Sequence, residues 1–144
     1  MDQLRQTILQ AIGALDPTNK RSDQRLVIFD IDDTLIRSSD DKPIPSVILL
    51  YNYAKFLDYR LVIITNRIGD EQVMIDTETQ LRNAGITGYE RVYFRSPNNS
   101  NNPWKFKNRA RMKERERGYT IAMSVGDQDW DILGDEVEIA VKIT

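Results

Sequence analysis

Apolar residues fall into five short blocks along the chain, separated by amphipathic stretches of helical period. The blocks are 26–29 (L-V-I-F), 60–65 (R-L-V-I-I-T), 91–94, 120–125 and 137–143. Short apolar runs rich in β-branched residues suit strands buried on both faces of a parallel sheet. Between the blocks the spacing changes to three and four. Leu4, Ile8, Ile12 and Leu15 mark a helix over 3–15, ended by Asp16-Pro17. Val47, Leu50, Tyr51, Ala54 and Leu57 mark a second, with Ser46 as its cap. Met74, Thr77, Leu81 and Ala84 mark a third, opened by Asp70 and closed by Gly85. A fourth covers 104–117. Strands that alternate with helices predict an α/β fold, a doubly wound five-stranded parallel sheet with right-handed crossovers. The length of 144 residues suits one domain over 1–144, with a flanking helix in 1–20 and the core in 26–143.

The ends of these strands carry the chemistry. The first runs straight into Asp30, Ile31, Asp32. Carboxylates are costly inside a buried strand, so both belong just past its C-terminal end, where ligands bind in open α/β sheets. Residues i and i+2 of an extended segment point the same way, which lets Asp30 and Asp32 face one site. Two carboxylates in one site repel unless a cation or a shared proton intervenes. The second strand ends at Thr65, whose hydroxyl can donate to a phosphate oxygen. The fourth runs into Gly126-Asp127-Gln128-Asp129-Trp130-Asp131. A parallel sheet brings all three ends to one edge.

Composition narrows the chemistry further. The chain has no His and no Cys. That removes Ser-His and Cys-His catalysis, His phosphotransfer and His-based zinc, and leaves acid–base work to carboxylates, Lys or Tyr. A metal would be held by oxygen, which favours Mg2+. No run reaches the ~18 apolar residues of a membrane span, and the N-terminus lacks a secretory h-region. The expectation is a cytoplasmic protein with no membrane partner. Residues 105–117 carry seven basic residues against Glu114 and Glu116, in a chain of net charge −2. This helix reads either as a positive rim for phosphorylated substrates or as a solvated face. The polar loop 95–103 reads as an idle excursion rather than a lid.

Taken together, these segments resemble the haloacid dehalogenase (HAD) superfamily. The match rests on D-x-D-x-T at Asp30, Asp32 and Thr34, then Thr65, a Lys, and G-D-x-x-x-D ending at Asp131. More narrowly the chain is similar to the subfamily IIIB (class B, plant-type) acid phosphatase branch, on F-D-I-D-D-T-L, I-I-T-N-R, F-K-N-R-A-R and G-Y-T-I-A-M-S-V-G-D-Q-D-W-D-I-L-G. The resemblance spans about residues 26–134; the family usually has Gly where Asn66 stands.

The resemblance implies roles. Asp30 matches a nucleophile that forms an aspartyl-phosphate, and Asp32 a general acid and base. Thr65 matches the phosphate-binding hydroxyl. Asp127 matches a Mg2+ ligand beside the Asp30 carboxylate and the Asp32 backbone carbonyl, and Asp131 a ligand or its neighbour. Lys107 with Arg111 keeps the family spacing to Gly118-Tyr119 and Gly126, whereas Lys105 with Arg109 stands two residues too far, so Lys107 is preferred. Asp33 is expected to stabilise the turn rather than react.

The function implied is Mg2+-dependent hydrolysis of phosphomonoesters, on a phosphorylated small molecule or nucleotide. Two alternatives accompany it: an end-phosphatase for nucleotides or polynucleotides that uses the basic helix, and a silent storage or binding relative. A phosphorylation receiver would need its acceptor Asp after the third strand, where Phe94-Arg95-Ser96 stands. About 30 residues separate Asp32 from Val62 and about 40 separate Thr65 from Lys107, too few for a large cap domain. An open site is therefore expected.

Overall fold

The computed structural model describes residues 2–15, 22–98, 102–134 and 136–144. Its five strands are β1 (Arg25–Phe29), β2 (Arg60–Ile68), β3 (Arg91–Arg95), β4 (Thr120–Gly126) and β5 (Val137–Lys142). All neighbours run parallel, in the order β3-β2-β1-β4-β5. The helices are α1 (Gln3–Ala14), α2 (Pro45–Phe56), α3 (Glu71–Asn83), α4 (Pro103–Glu116) and the single turn α5 (Asp129–Ile132).

Alternation along β1 sorts the two faces of the sheet. Val27 and Phe29 pack with Ile8, Leu50, Tyr51 and Leu81 of α1, α2 and α3. Leu26 and Ile28 face the other way and pack with Val62, Ile64 and Ala110 of α4. Each fully buried residue of this kind contributes ~1.5–3 kcal/mol relative to exposure. The chain winds outward from β1 through β2 to β3 with its helices on one face. It then crosses back under the other face, through α4, to β4. The order of strands therefore reverses between β1 and β4, which is where such folds open a crevice. No large cap interrupts this core among the described residues. Nor is any described helix long and apolar enough to cross a membrane.

Several local expectations need correction. Ser46 does not cap α2: the cap position is Ile44, with no side-chain hydrogen bond, and Pro45 opens the helix. Proline's fixed φ and missing N–H suit that first position. Met74 is 36% exposed, and the buried stripe of α3 begins one turn later at Thr77. Asp70 does cap α3, accepting from the Val73 N–H at 2.9 Å. Asn102 caps α4, accepting from the N–H groups of Trp104 and Lys105. The expected end of the first helix at Asp16-Pro17 lies outside the described residues, as do residues 99–101 of the 95–103 loop.

The basic helix is not uniformly solvated. Lys107, Arg111 and Glu114 are buried on its inner face. Glu114 takes a two-point contact from Arg91 on β3, at 2.6 and 2.7 Å, and a further hydrogen bond from the Tyr93 hydroxyl. Burial raises the Glu114 carboxyl, but the bonds from Arg91 and Tyr93 outweigh it and hold the group below its ordinary value of 4.5. Such a group stabilises the fold above its unfolded value, and the contribution disappears as pH falls through the lower folded value. Glu114→Gln should therefore cost about 3 kcal/mol at pH 7, the low end for breaking a buried ion pair, because Arg91 keeps some solvent contact. Urea unfolding should show this difference narrowing once the pH drops below 4.5. A variant as stable as wild type at pH 7 contradicts it.

Candidate active site

Asp30 follows β1 and stays in register, its N–H donating to the Val125 carbonyl of β4 at 3.0 Å. The chain then turns sharply, and the Ile31 carbonyl accepts from the N–H groups of Thr34, Leu35 and Ile36. Asp33 takes the left-handed conformation at φ 60°, which Asp tolerates better than most residues. Its carboxylate accepts from the Ser38 N–H and hydroxyl, and Asp33 is exposed. It holds the turn that presents its neighbours.

Asp30 is 9% exposed and shares its oxygens between two donors. Lys107 Nζ donates to Oδ1 at 2.9 Å and the Thr34 hydroxyl to Oδ2 at 3.3 Å. Lys107 Nζ also donates to the Ile64 carbonyl at 2.6 Å and lies 2.7 Å from Asp131 Oδ1. An almost wholly buried ammonium is thus held by β1, β2 and the segment after β4 at once. Lys105, two residues earlier on α4, is exposed.

Asp127 and Asp131 complete the cluster. One carboxylate oxygen from each of Asp30, Asp127 and Asp131 lies within 4.8 Å of the others. A Cβ at position 126 would come within 2.2 Å of the Asp131 side chain, so Gly126 is what admits Asp131 to the strand end. Ser124 Oγ donates to the Asp131 carbonyl at 2.6 Å, and the Gln128 N–H donates to its Oδ2 at 3.1 Å. Burial, the largest influence, pushes the Asp30 carboxyl up to about 7; Lys107 pulls it down, and Asp131 and Asp127 push it up again. Asp127 is raised as well, by burial first. Asp131 Oδ1 is buried without a hydrogen bond, despite its closeness to Lys107. One ammonium does not balance three clustered carboxylates. Three converging carboxylate oxygens against a single ammonium fit a hard divalent cation.

Asp32 lies apart from that cluster. Its carboxylate receives two bonds from Arg67, Nε to Oδ2 at 3.0 Å and a terminal nitrogen to Oδ1 at 2.7 Å. The other terminal nitrogen of Arg67 donates to Thr77 and Gln80 of α3. Arg67 is in place because β2 continues past its apolar block to Ile68. Thr65 is 1% exposed, and its oxygen accepts from the Arg67 N–H at 3.1 Å, which leaves the hydroxyl proton free to donate.

Sequence reasoning missed two residues here. Arg67 sits beside the recognised Thr65, but nothing local marks its partner 35 residues earlier. Arg111 entered only as a spacing mark. It is fully buried and ties α4 to the α5 segment, bonding Glu136, Asn108 and the carbonyls of Trp130, Asp131 and Leu133. It fixes the backbone that carries Asp131.

Known proteins share both the sequence pattern and this architecture. The Stem 28 kDa glycoprotein of Glycine max is 28% identical over 104 residues, covering 71% of this chain and 40% of that protein. A Stem 31 kDa glycoprotein of the same plant is 28% identical over 104 residues, 71% of this chain and 35% of that protein. The chain thus spans well under half the length of these relatives. Among solved structures, the class C acid phosphatase from Bacillus anthracis with tungstate bound superposes with a TM-score of 0.68 at 14% identity, over 92% of this chain and 66% of that one. A chain of the Pnkp1/Rnl/Hen1 complex superposes with a TM-score of 0.66 at 20% identity, over 77% of this chain and 42% of that one. At these identities the structures share the fold. Residues 35–142 match a whole-family pattern that begins just after D-x-D-x-T and runs through β5. On that match, which covers most of its length, the chain belongs to the HAD superfamily, subfamily IIIB (acid phosphatase).

Proposed function

We propose that this chain hydrolyses phosphomonoesters through an aspartyl-phosphate on Asp30, with Mg2+ as its cation. The observation that carries this reading is the convergence of Asp30, Lys107, Asp127 and Asp131 at one sheet edge. Asp30, Asp127 and Asp131 would hold the cation, together with the Asp32 backbone carbonyl that the family resemblance implies. When bound, it neutralises charge on the phosphoryl group so that an anionic carboxylate can approach.

The chain's own residues supply the rest. An Asp30 oxygen attacks phosphorus, and the bond from phosphorus to the ester oxygen breaks as the new one forms. Asp32 gives its proton to the departing oxygen. Asp32 then takes a proton from water, whose oxygen displaces Asp30 and releases inorganic phosphate. Thr65 donates to a phosphate oxygen. Lys107 orients Asp30 and adds positive charge. The substrate is a phosphorylated small molecule or nucleotide that reaches an open site in a single domain. The Cys-free composition supports a cytoplasmic setting.

Phosphate release from an aryl phosphate tests this reading. Turnover should require added Mg2+ and fall to background on chelation; undiminished turnover after chelation refutes the metal assignment. Lys107→Ala should cost roughly 10²-fold or more, as for loss of one preorganised donor to a developing charge, and far more than Lys105→Ala. The reverse order would transfer the role to Lys105. A second reading, a non-catalytic relative, draws on plant relatives named as stem glycoproteins rather than for an activity. Failure of the wild type to release phosphate with Mg2+ present would favour it.

A further inference from the structure

Between β3 and α4 lies a cavity of about 320 Å³. Tyr93 and Phe106 form aromatic walls, and Arg95, Lys105, Arg109 and Lys113 bring four cations to it, with no carboxylate among the lining residues. Lys105, Arg109 and Lys113 are exposed and follow each other at intervals of four on one helix. Like charges at that interval repel and cost helix stability. No ion pair ties these three to a described carboxylate, whereas Arg25, Arg37, Arg60 and Lys142 each have one. Lys113 lies in the last turn, where a cation favours the helix, but Lys105 in the first turn is disfavoured there and Arg109 gains nothing.

The cavity adjoins the candidate active site. Tyr93 pairs in register with Ile64, whose carbonyl accepts from Lys107. Arg95 Nε donates to the carbonyl of Asn66, the residue after Thr65. From there the cationic stripe runs along the outer side of α4, turned about 120–160° around the helix from Lys107. A mononucleotide offers one phosphate, already committed to Asp30, and leaves the stripe without a partner. Tyr93 and Phe106 each pack one side against the second core cluster, and a polyanion without rings leaves the ring surface they turn to the cavity unmet. A single-stranded nucleic acid supplies both, with phosphates for the cations and a π-face for the rings. The cavity sits at the small end of the ~300–1,000 Å³ range of ligand pockets, which suits a nucleotide unit rather than a duplex.

We propose that this cavity holds the single strand of a polynucleotide whose terminal phosphomonoester enters the Asp30 site. The proposal rests on the phosphatase reading above. It assigns the guiding charge to Lys105, Arg109 and Lys113, not to Arg115 and Arg117 at the far end of the helix, where Arg117 lies 3.6 Å from Glu114.

The test compares the triple variant Lys105→Gln/Arg109→Gln/Lys113→Gln with a charge-matched control, Arg5→Gln/Arg82→Gln/Arg115→Gln. Fluorescence anisotropy follows an unphosphorylated single-stranded oligonucleotide of about ten residues, within the span of known single-strand sites. The slope of log K against log salt should shrink by about 2 in the triple variant, three contacts at ~0.7 each, and stay at the wild-type value in the control. The ratio of kcat/KM for the end-phosphorylated oligonucleotide to that for aryl phosphate should fall ~10-fold or more in the triple variant alone. Equal slopes in the two variants overturn the proposal, as does inorganic polyphosphate that competes as well as the oligonucleotide. A wild type that cleaves aryl phosphate yet binds no oligonucleotide overturns the groove and leaves the phosphatase reading standing. A wild type inactive on both substrates overturns the phosphatase reading and the substrate claim with it.

Discussion

Asp30→Asn is expected to lower aryl phosphate turnover by at least ~10³-fold, because an amide does not replace a carboxylate as nucleophile. The fold should survive. Asparagine has nearly the same shape, and its oxygen can still accept from Lys107, which also keeps Asp131 and the Ile64 carbonyl as partners. The variant also removes one charge from a buried cluster in which Asp30 is already pushed up to about 7 by burial. Its thermal midpoint without metal should therefore equal or exceed that of wild type. Asp33→Asn is the matched comparison. Asp33 lies three residues on, is exposed and serves only the turn, and Asn also tolerates its left-handed backbone. It should turn over near the wild-type rate. Asp30→Asn turnover at the wild-type rate would mean that another group attacks phosphorus.

Asp32→Asn should cost about 10²–10⁴-fold on an alkyl phosphate, the usual contribution of a positioned general acid and base. The loss should shrink on aryl phosphates, whose leaving oxygens need less protonation. The dependence on leaving group is the informative quantity, since a merely structural defect would lower all substrates alike. Arg67 bears directly on this residue. Its two bonds fix the plane of the Asp32 carboxylate, while each oxygen keeps a further lone-pair direction for the substrate. On the phosphatase reading proposed above, Arg67 would act as a positioning residue. A series of kcat/KM values across leaving groups, measured for wild type and Asp32→Asn, decides the matter; parallel lines for the two proteins would remove Asp32 from proton transfer.

Much of this molecule was legible locally. The apolar, β-branched run before Asp30 suited a buried strand, and a buried strand expels carboxylates to its end. The same reasoning located Asp127 at a strand end, and alternation of elements then implied one shared edge; the expected end of the second strand at Thr65 was wrong, because β2 runs on to Ile68 and holds Thr65 within it. The charged residues of α4 resisted that approach. Periodicity treats Arg111 and Glu114 as surface residues, because burying a charge is unfavourable without a partner. Their partners are Arg91 on β3 for Glu114 and Glu136 before β5 for Arg111, and neither neighbour follows from the helix's own pattern. The seven basic residues read as one surface were in fact divided. Lys107 and Arg111 turned inward, and Lys105, Arg109 and Lys113 formed the cationic stripe.

By itself the sequence determined the five strands, the four long helices and their parallel pairing, because short-range pattern and the cost of burying charge suffice for those; it also set Asp32 with Asp30, whereas the cluster holds Asp30, Asp127 and Asp131 and the Asp32 carboxylate pairs with Arg67. The tertiary structure decided which charges meet. The change of face at α4 sets β4 beside β1, so Asp127 and Asp131 arrive at Asp30 from about a hundred residues away. The extension of β2 to Ile68 carries Arg67 onto Asp32. The free flank of α4 against the edge strand β3 leaves the cavity open. Contacts of that kind depend on where separate elements come to rest, and no single stretch of the chain encodes them.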